Sequence, residues 1–156
     1  MAPASKWFTK QWPVEKWIQL VDALADRYDI CLLGGKEDIA LCEDIIQKTS
    51  AKRVENLAGQ LSFLASAALM ARAKMNIVND SAPLHMASAM NAPVIALFCS
   101  TISNFGFGPL SETSWILEST HELACRPCGL HGKKACPLGH FRCAEIEIVE
   151  ILNKFA

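Results

Sequence analysis

The sequence predicts an α/β fold with a doubly wound, Rossmann-like parallel sheet. Short apolar runs typical of buried strands alternate with stretches of helical spacing, which is the pattern of parallel strands covered by helices. A polar turn at residues 79–82 lies directly between one such run and Pro83, so a strand should lead straight into a helix there. The 156 residues are enough for one domain with its own core, and we expect a single domain over 1–156.

The elements of the first half follow from periodicity and from glycine punctuation. Apolar residues from Trp17 to Leu24 lie at helical spacing and predict a helix over 14–27. An apolar run predicts a strand over 28–33, and two glycines end it. The remaining predicted elements of this half are a helix over 37–49, a short strand over 53–57 closed by residues 58–59, and an Ala- and Leu-rich helix over 62–74.

The second half repeats the alternation and then becomes less regular. A buried strand over 75–78, the polar turn, a helix over 83–90 and a second buried strand over 93–98 form one tight unit. A Gly-containing loop follows, then a sixth strand over 115–118. A cysteine-rich segment, defined here as residues 125–143, precedes a closing helix over 145–155.

The pattern begins one element late, because only residues 1–5 are available for the strand that should precede helix 14–27. In the usual strand order 3-2-1-4-5-6 that first strand is central. We therefore expect the chain to be a fragment, truncated near its first strand. An incomplete central strand leaves unpaired N–H and C=O groups, and this predicts self-association of the fragment.

Charge and cysteine content restrict the function classes. Lys and Arg total 15 against 16 Asp and Glu, so the sequence carries no electrostatic footprint for nucleic acid or for an anionic membrane. The sequence shows neither a membrane-spanning apolar run nor the hydrophobic region of a signal peptide. Seven cysteines, an odd number, are typical of a reducing setting, and we predict a cytoplasmic location.

Two loops are expected to meet at one crevice. Lys10 follows the predicted first strand, and residues 80–85 follow the fourth. In the order 3-2-1-4-5-6 these loops flank the point where the chain reverses direction across the sheet, where open α/β sheets bind ligands. The Lys10 ammonium and a helix N-terminus capped by Asp80 or Ser81 would hold a diphosphate, with His85 one turn in. The alternatives are a solvated lysine, simple helix capping and a packed histidine.

Glu37 follows the second predicted strand, where an acidic side chain can accept hydrogen bonds from a ribose. An exposed first-turn glutamate is the alternative. The sequence has no GxGxxG after the first strand and no GxxxxGK[ST], which disfavours a standard dinucleotide dehydrogenase and a P-loop NTPase.

The cysteine-rich segment contains a candidate structural zinc site. Cys125 and Cys128 have the Cys-x2-Cys spacing that gives two thiolates to one tetrahedral metal, and Cys136 and Cys143 would complete the set. This second pair does not have that spacing. The alternative is a group of reduced, packed or surface thiols.

Taken together, the motifs resemble glycosyltransferase family 9, the ADP-heptose:lipopolysaccharide heptosyltransferases. The resemblance covers about residues 2 to 150. It implies the GT-B architecture, of which this chain would be the carboxyl-terminal, donor-binding half. The motifs that carry it are TKQWP at 9–13, LLGG at 32–35, NLAGQLS at 56–62, NDSAPLHMASAMNAPVIALF at 79–98, and CRPC at 125–128 with two later cysteines.

The resemblance implies inverting transfer of a heptose or related sugar from an ADP-heptose-like donor to a lipopolysaccharide core acceptor. It implies no cofactor for the chemistry, and it assigns stabilisation of the leaving diphosphate to Lys10 and His85. The resemblance implies that Lys10 contacts the diphosphate and that Asp80, Ser81 and Ala82 hold phosphate and sugar through the helix end, with His85 nearby. It implies a ribose contact for Glu37. It places Ala58, Gly59 and Leu61 at the border of the adenine, and Thr101 in a loop that closes over the donor.

The chain departs from the family pattern in two ways. Residues 99–101 read Cys-Ser-Thr where the family has Gly-x-Thr. The amino-terminal half, which in the family carries the acceptor site and an acidic general base, is absent from this sequence. The prediction is therefore that this chain binds donor without turnover, and that a complete enzyme associates peripherally with the inner face of the inner membrane. The alternatives are a non-catalytic nucleotide-binding module and a zinc-dependent interaction module.

Overall fold

The computed structural model describes residues 1–155 and has the predicted alternation of strands and helices. The strands are β1 (Ile30–Leu32), β2 (Val54–Asn56), β3 (Asn76–Asn79), β4 (Val94–Phe98) and β5 (Ser114–Glu118). The α-helices are α1 (Val14–Leu24), α2 (Ile39–Lys48), α3 (Phe63–Arg72), α4 (Ala82–Ala89) and α5 (Ile148–Leu152). Short 3₁₀ turns cover Phe8–Lys10, Lys36–Asp38, Ser103–Phe105, Arg142–Ala144 and Asn153–Phe155.

The strand order is the one that the sequence predicts. β1 pairs in parallel with β2, and β3, β4 and β5 pair in parallel in that order. Residues 1–2 connect the two sheets, because Leu33 N donates to Met1 O at 2.8 Å and Ala2 N donates to Ile77 O at 2.9 Å. The spatial order is therefore β2, β1, residues 1–2, β3, β4, β5, which corresponds to 3-2-1-4-5-6.

Residues 1–2 are thus paired with a neighbour on both sides, and the sheet has no gap at this point. The sequence predicts self-association on the ground that an incomplete first strand leaves backbone groups unpaired. Residues 1–2 pair with neighbours on both sides, so these groups do not favour association. Self-association stays a prediction.

The sheet is covered on both faces, as a doubly wound fold requires. Alternate side chains of the central strands point to opposite faces. Ile77, Ile95 and Leu97 pack with buried side chains of α1, α2 and α5 on one face. Val78, Ala96 and Phe98 pack with residues of α3 and α4 on the other. Burial on both faces explains why β4 is a continuous apolar run and why all four residues of β3, its two terminal asparagines included, are buried.

The predicted boundaries differ from the observed ones at the helix ends. The helix predicted over 37–49 begins as the 3₁₀ turn Lys36–Asp38 and continues as α2. The closing helix is much shorter than predicted, because buried Ile146 lies between two residues with non-helical backbone, Glu145 and Glu147. Within residues 1–155, no helix has the length and apolar character needed to cross a membrane.

Candidate functional site

A crevice of about 860 Å³ opens at the carboxyl ends of the central strands. It lies where residues 1–2 separate β1 from β3, the point at which the chain reverses direction across the sheet. The residues that line it are Ala2, Ala4, Ser5, Lys6, Trp7, Lys10, Leu33, Gly34, Gly35, Lys36, Glu37, Asp38, Gly59, Leu61, Phe63, Ser66, Met70, Asp80, Ser81, Ala82, Pro83 and Met86.

Lys10 and Asp80 form an ion pair at the floor of this crevice. Lys10 Nζ lies 2.7 Å from Asp80 Oδ2, and the two side chains are only 15% and 6% exposed. Thr101 Oγ1 donates to the same carboxylate oxygen at 2.6 Å. The sequence predicts that the two loops meet, and the structure brings them into direct contact. Because the ammonium has three N–H donors, an ion pair with one carboxylate leaves donors for a ligand.

The Asp80 side chain is used within the protein. Its carboxylate holds Lys10 in place and accepts from Thr101. The expectation that Asp80, Ser81 and Ala82 contact phosphate and sugar through the helix end stays a prediction.

The first turn of α4 faces the crevice without a side-chain cap. Ser81 is the N-cap residue, but its hydroxyl donates to Asn79 O at 3.3 Å instead of accepting from the helix. The carboxylate of Asp80 is occupied by Lys10 and Thr101. The prediction that Asp80 or Ser81 caps the helix is therefore wrong. Ala82 and Pro83 line the crevice, so the positive end of the helix dipole points into it.

The loop after β1 brings an acidic group to the rim. Gly35 N donates to Asp38 Oδ2 at 2.8 Å, which fixes the turn. Glu37 is exposed and lines the crevice, and its carboxylate lies over Gly35, where a Cβ would meet Glu37 Oε2 at 2.6 Å. Glu37 thus lies where the sequence predicts it, with its carboxylate accessible.

The loop after β2 borders the same crevice through Gly59 and Leu61, whereas Ala58 does not line it. Ala58 is 2% exposed and packs in the core. Of the three residues expected to border an adenine, it is therefore the one that does not reach the crevice. Gly59 N donates to Gly34 O at 3.0 Å, which ties the two loops together.

Gly59→Ala is expected to destabilise the protein by about 2 kcal/mol, since it adds crowding to an unfavourable left-handed backbone. Gly59 has φ of +71°, and a Cβ there would meet Ile39 Cδ1 at 3.0 Å and Lys36 Cα at 3.1 Å. Gly106→Ala is the matched control, because Gly106 has φ of +89° with nothing within 4 Å of a Cβ. Urea denaturation of both variants measures the difference, and equal losses would show that the loops tolerate the methyl group.

Two other predicted residues lie outside the crevice lining. His85 is exposed and its ring packs edge-on against Phe107, 6.4 Å between centroids, while Met86 takes the crevice side of α4. Thr101 is 1% exposed and lies beneath the crevice, behind Asp80. The structure thus gives Thr101 a contact with the Asp80 carboxylate, and it does not bring His85 to the Lys10–Asp80 pair.

Sequence reasoning missed several lining residues. Phe63 and Met70, from α3, form an apolar side of the crevice, and Phe63 is 77% exposed. Trp7, which directly precedes the turn that contains Lys10, also lines the crevice. The available signal was position: each lies on a segment that follows the carboxyl end of a strand. Large apolar side chains on helices are usually core, so the pattern alone favoured burial.

The cysteine-rich segment encloses a smaller cavity of about 240 Å³. Cys125, Cys128, Cys136 and Cys143 all line it. Backbone N–H groups, that of Phe141 first, lower the pKa of the Cys136 thiol, whereas burial raises the pKa of Cys143 to about 11.

Within residues 1–155, no three His, Cys, Asp or Glu side chains converge closely enough to hold a metal ion. The four thiols share a cavity without forming a ligand set in this conformation. The zinc site stays a prediction, and metal analysis of the purified protein would test it.

Comparison with known proteins gives consistent results. The family model described as "Glycosyltransferase family 9 (heptosyltransferase)" matches residues 1–138. The chain is 37% identical over 102 residues to lipopolysaccharide heptosyltransferase 3 of Escherichia coli, covering 64% of this chain and 30% of that protein. It is 28% identical over 142 residues to lipooligosaccharide heptosyltransferase 2 of Campylobacter jejuni, covering 86% of this chain and 41% of that protein. The chain thus spans less than half the length of these curated relatives.

Solved structures show the same fold. The structure of E. coli ADP-heptose lps heptosyltransferase II matches with a TM-score of 0.81 at 23% identity, covering 99% of this chain and 44% of that one. E. coli heptosyltransferase WaaC with ADP matches with a TM-score of 0.72 at 20% identity, covering 99% and 41%. The predicted fold class, a Rossmann-like half of a GT-B architecture, is confirmed.

Proposed function

We propose, because the chain belongs to glycosyltransferase family 9, that its crevice binds the diphosphate of a nucleotide-sugar donor. The observation that carries this proposal is the Lys10–Asp80 pair, 2.7 Å apart at the floor of the crevice and next to the uncapped start of α4. A fixed ammonium and a helix N-terminus that point at one space make an anion site.

The donor class follows from the family and from the relatives. We propose an ADP-heptose-like donor and transfer of its heptose, with inversion, to a lipopolysaccharide core acceptor. Because the chain spans less than half of its relatives, we assign it the donor-binding role within residues 1–156. The acceptor site and the general base are expected from a second half, and the chain alone should bind donor without turnover.

The two ends of the crevice differ in character, which suggests how a donor lies in it. Lys10 and the start of α4 form the polar end, where the diphosphate fits. Gly59, Leu61 and Phe63 form a less polar end that suits a flat base. Glu37 lies in the loop after β1, between these two ends. Its exposed carboxylate can accept hydrogen bonds from ribose hydroxyls.

In sugar transfer, negative charge develops on the departing diphosphate as the glycosidic bond breaks. The Lys10 ammonium and the first-turn N–H groups of α4 would stabilise that charge. Since Asp80, which accepts from Thr101, holds Lys10 in place, little reorganisation is needed at the transition state. His85 is a weaker candidate for this role, because its ring packs against Phe107.

The setting of the complete protein is also proposed from chemistry. All seven cysteines are free, which suits a reducing compartment such as the cytoplasm. An acceptor with lipid anchors would bring the complete enzyme to a membrane surface. Nucleic acid is not a proposed partner, given a net charge of −1.

Isothermal titration of the chain with ADP, UDP and GDP tests the proposal. We expect one ADP bound per chain, with affinity at least tenfold higher than for UDP or GDP, because base and ribose contacts select the nucleotide. The absence of ADP binding at millimolar concentration would overturn the donor-site assignment. Equal binding of all three would retain the diphosphate site and remove the adenine assignment.

A further inference from the structure

The cysteine-rich segment directly contacts the residue that precedes Lys10. Lys133 N donates to Thr9 Oγ1 at 2.7 Å, and Thr9 N donates to Lys133 O at 3.1 Å. Thr9 is 1% exposed, so its side of these bonds is buried, whereas Lys133 is exposed. The backbone that carries Lys10 is therefore fixed by a segment more than a hundred residues away in sequence.

The same segment fixes the loop that supports Asp80. Arg126 Nε donates to Cys99 O at 2.7 Å, and its Nη2 donates to Thr101 O at 2.7 Å and Phe98 O at 3.1 Å. A carboxylate oxygen of Glu118, on β5, lies 2.9 Å from Arg126 Nη2 and orients the guanidinium. One side chain thus binds three backbone carbonyls, one in the last residue of β4 and two in the loop that follows it.

This arrangement links Arg126 to the ion pair through a short chain of contacts. Arg126 holds the Thr101 carbonyl, and the Thr101 hydroxyl donates to Asp80, which pairs with Lys10. Ser100 joins the two sides, since its Oγ donates to Thr9 Oγ1 at 3.0 Å. Both members of the Lys10–Asp80 pair are therefore supported from the same segment.

Gly132 shows how closely the segment follows the Lys10 side chain. A Cβ at Gly132 would lie 2.9 Å from Lys10 Cγ and 3.1 Å from Thr9 Oγ1. Gly132 has φ of +77°. Any side chain there would move the lysine stem. Gly129 has φ of +83° and nothing within 4 Å of a Cβ, so the backbone strain alone does not distinguish these glycines.

We propose that the cysteine-rich segment positions the Lys10–Asp80 pair for anion binding. Arg126 acts as a positioning residue, and Gly132, which has no side chain, leaves the space that the Lys10 side chain occupies. The role goes beyond fold stability, because the contacts reach the two backbone stretches that carry Lys10 and Thr101. The proposal rests on the proposed function for its effect on ligand affinity, but the position of Lys10 is measurable without any ligand.

The first test compares Gly132→Ala with Gly129→Ala. We expect ADP affinity to fall at least tenfold in Gly132→Ala and less than threefold in Gly129→Ala. The rate of reductive methylation of Lys10, followed by peptide mass spectrometry without ligand, should rise at least threefold in Gly132→Ala alone. Equal behaviour of the two variants in the methylation assay would overturn the proposal. If the unchanged chain does not bind ADP, the proposed function fails while the methylation result still decides the positioning role.

The second test compares Arg126→Gln with Arg126→Lys. We expect Arg126→Gln to weaken ADP binding at least tenfold and to raise the Lys10 methylation rate. Arg126→Lys, which retains a cation near the carbonyls, should recover part of both effects. Thermal denaturation shows whether a variant at Arg126 is folded. If it is unfolded, the comparison of Gly132→Ala with Gly129→Ala decides whether the segment positions Lys10. A folded Arg126→Gln variant with unchanged Lys10 methylation would overturn the positioning role of Arg126.

Discussion

Replacing Lys10 with alanine is expected to weaken ADP binding by about 100-fold, close to 3 kcal/mol, which is the upper range for a charge-assisted hydrogen bond. The size of the effect follows from the burial of the pair. Lys10 is 15% exposed and its carboxylate partner 6% exposed, so the attraction to a phosphate is only weakly screened by water. Isothermal titration with ADP at fixed ionic strength measures the change.

Lys6→Ala is the matched control for this prediction. Lys6 also lines the crevice, but it is exposed, and the same charge is removed by its replacement. We expect a loss of affinity of threefold or less, because a mobile solvated cation contributes little. Equal losses in the two variants would show that only the summed charge of the crevice matters.

Lys10→Ala also leaves the buried Asp80 carboxylate with Thr101 as its remaining side-chain partner, so a loss of stability accompanies the loss of binding. Lys10→Arg separates these effects, since it restores the charge near Asp80. Recovery of the melting temperature without recovery of ADP affinity would indicate that the ammonium geometry, and not charge alone, determines binding.

The fold was predictable because its determinants are local. The continuous apolar run of β4, the helical spacing in α1 and the polar turn between β3 and α4 each carry their own signal. Even the strand order followed, since the position of residues 1–2 between β1 and β3 is the usual one for this alternation. The end of the chain was less predictable, because the burial of Ile146 depends on tertiary packing.

The site was predictable only in part, for a different physical reason. Topology placed Lys10, Glu37 and Asp80 at one crevice without any knowledge of side-chain contacts. It could not show that Asp80 binds Lys10 instead of capping α4, because both roles use the same carboxylate and differ only in which partner lies nearer. The contacts of Arg126 with β4 are long-range in sequence and leave no local pattern.

Asn79 illustrates a determinant of the site that the sequence does not reveal. It is the last residue of β3 and is fully buried. Its Oδ1 accepts from Trp12 N at 3.1 Å, and its Nδ2 donates to Pro3 O at 2.7 Å. The amide thereby connects the strand end to both ends of the loop that contains Lys10. A carboxylate or an apolar side chain would satisfy at most one of these groups.

Asn79→Ala is expected to destabilise the protein by about 3 kcal/mol, because it leaves the buried Trp12 N–H and Pro3 C=O unpaired. For a chain of this size the melting temperature should fall by roughly 10 °C. The loop that contains Lys10 also loses its anchor, so ADP affinity should fall with stability.

Asn76→Ala is the comparison that separates these two effects. Asn76 is also buried on β3, but at the far end from the crevice, where its Nδ2 donates to Met70 O at 3.0 Å and Pro93 O at 3.0 Å. We expect a loss of about 1.5 kcal/mol, since the Pro93 carbonyl keeps its bond from Asn76 N. ADP binding, measured well below the melting temperature, should stay within twofold. A comparable loss of affinity in both asparagine variants would mean that global stability alone controls the crevice, and that Asn79 has no specific part in holding Lys10.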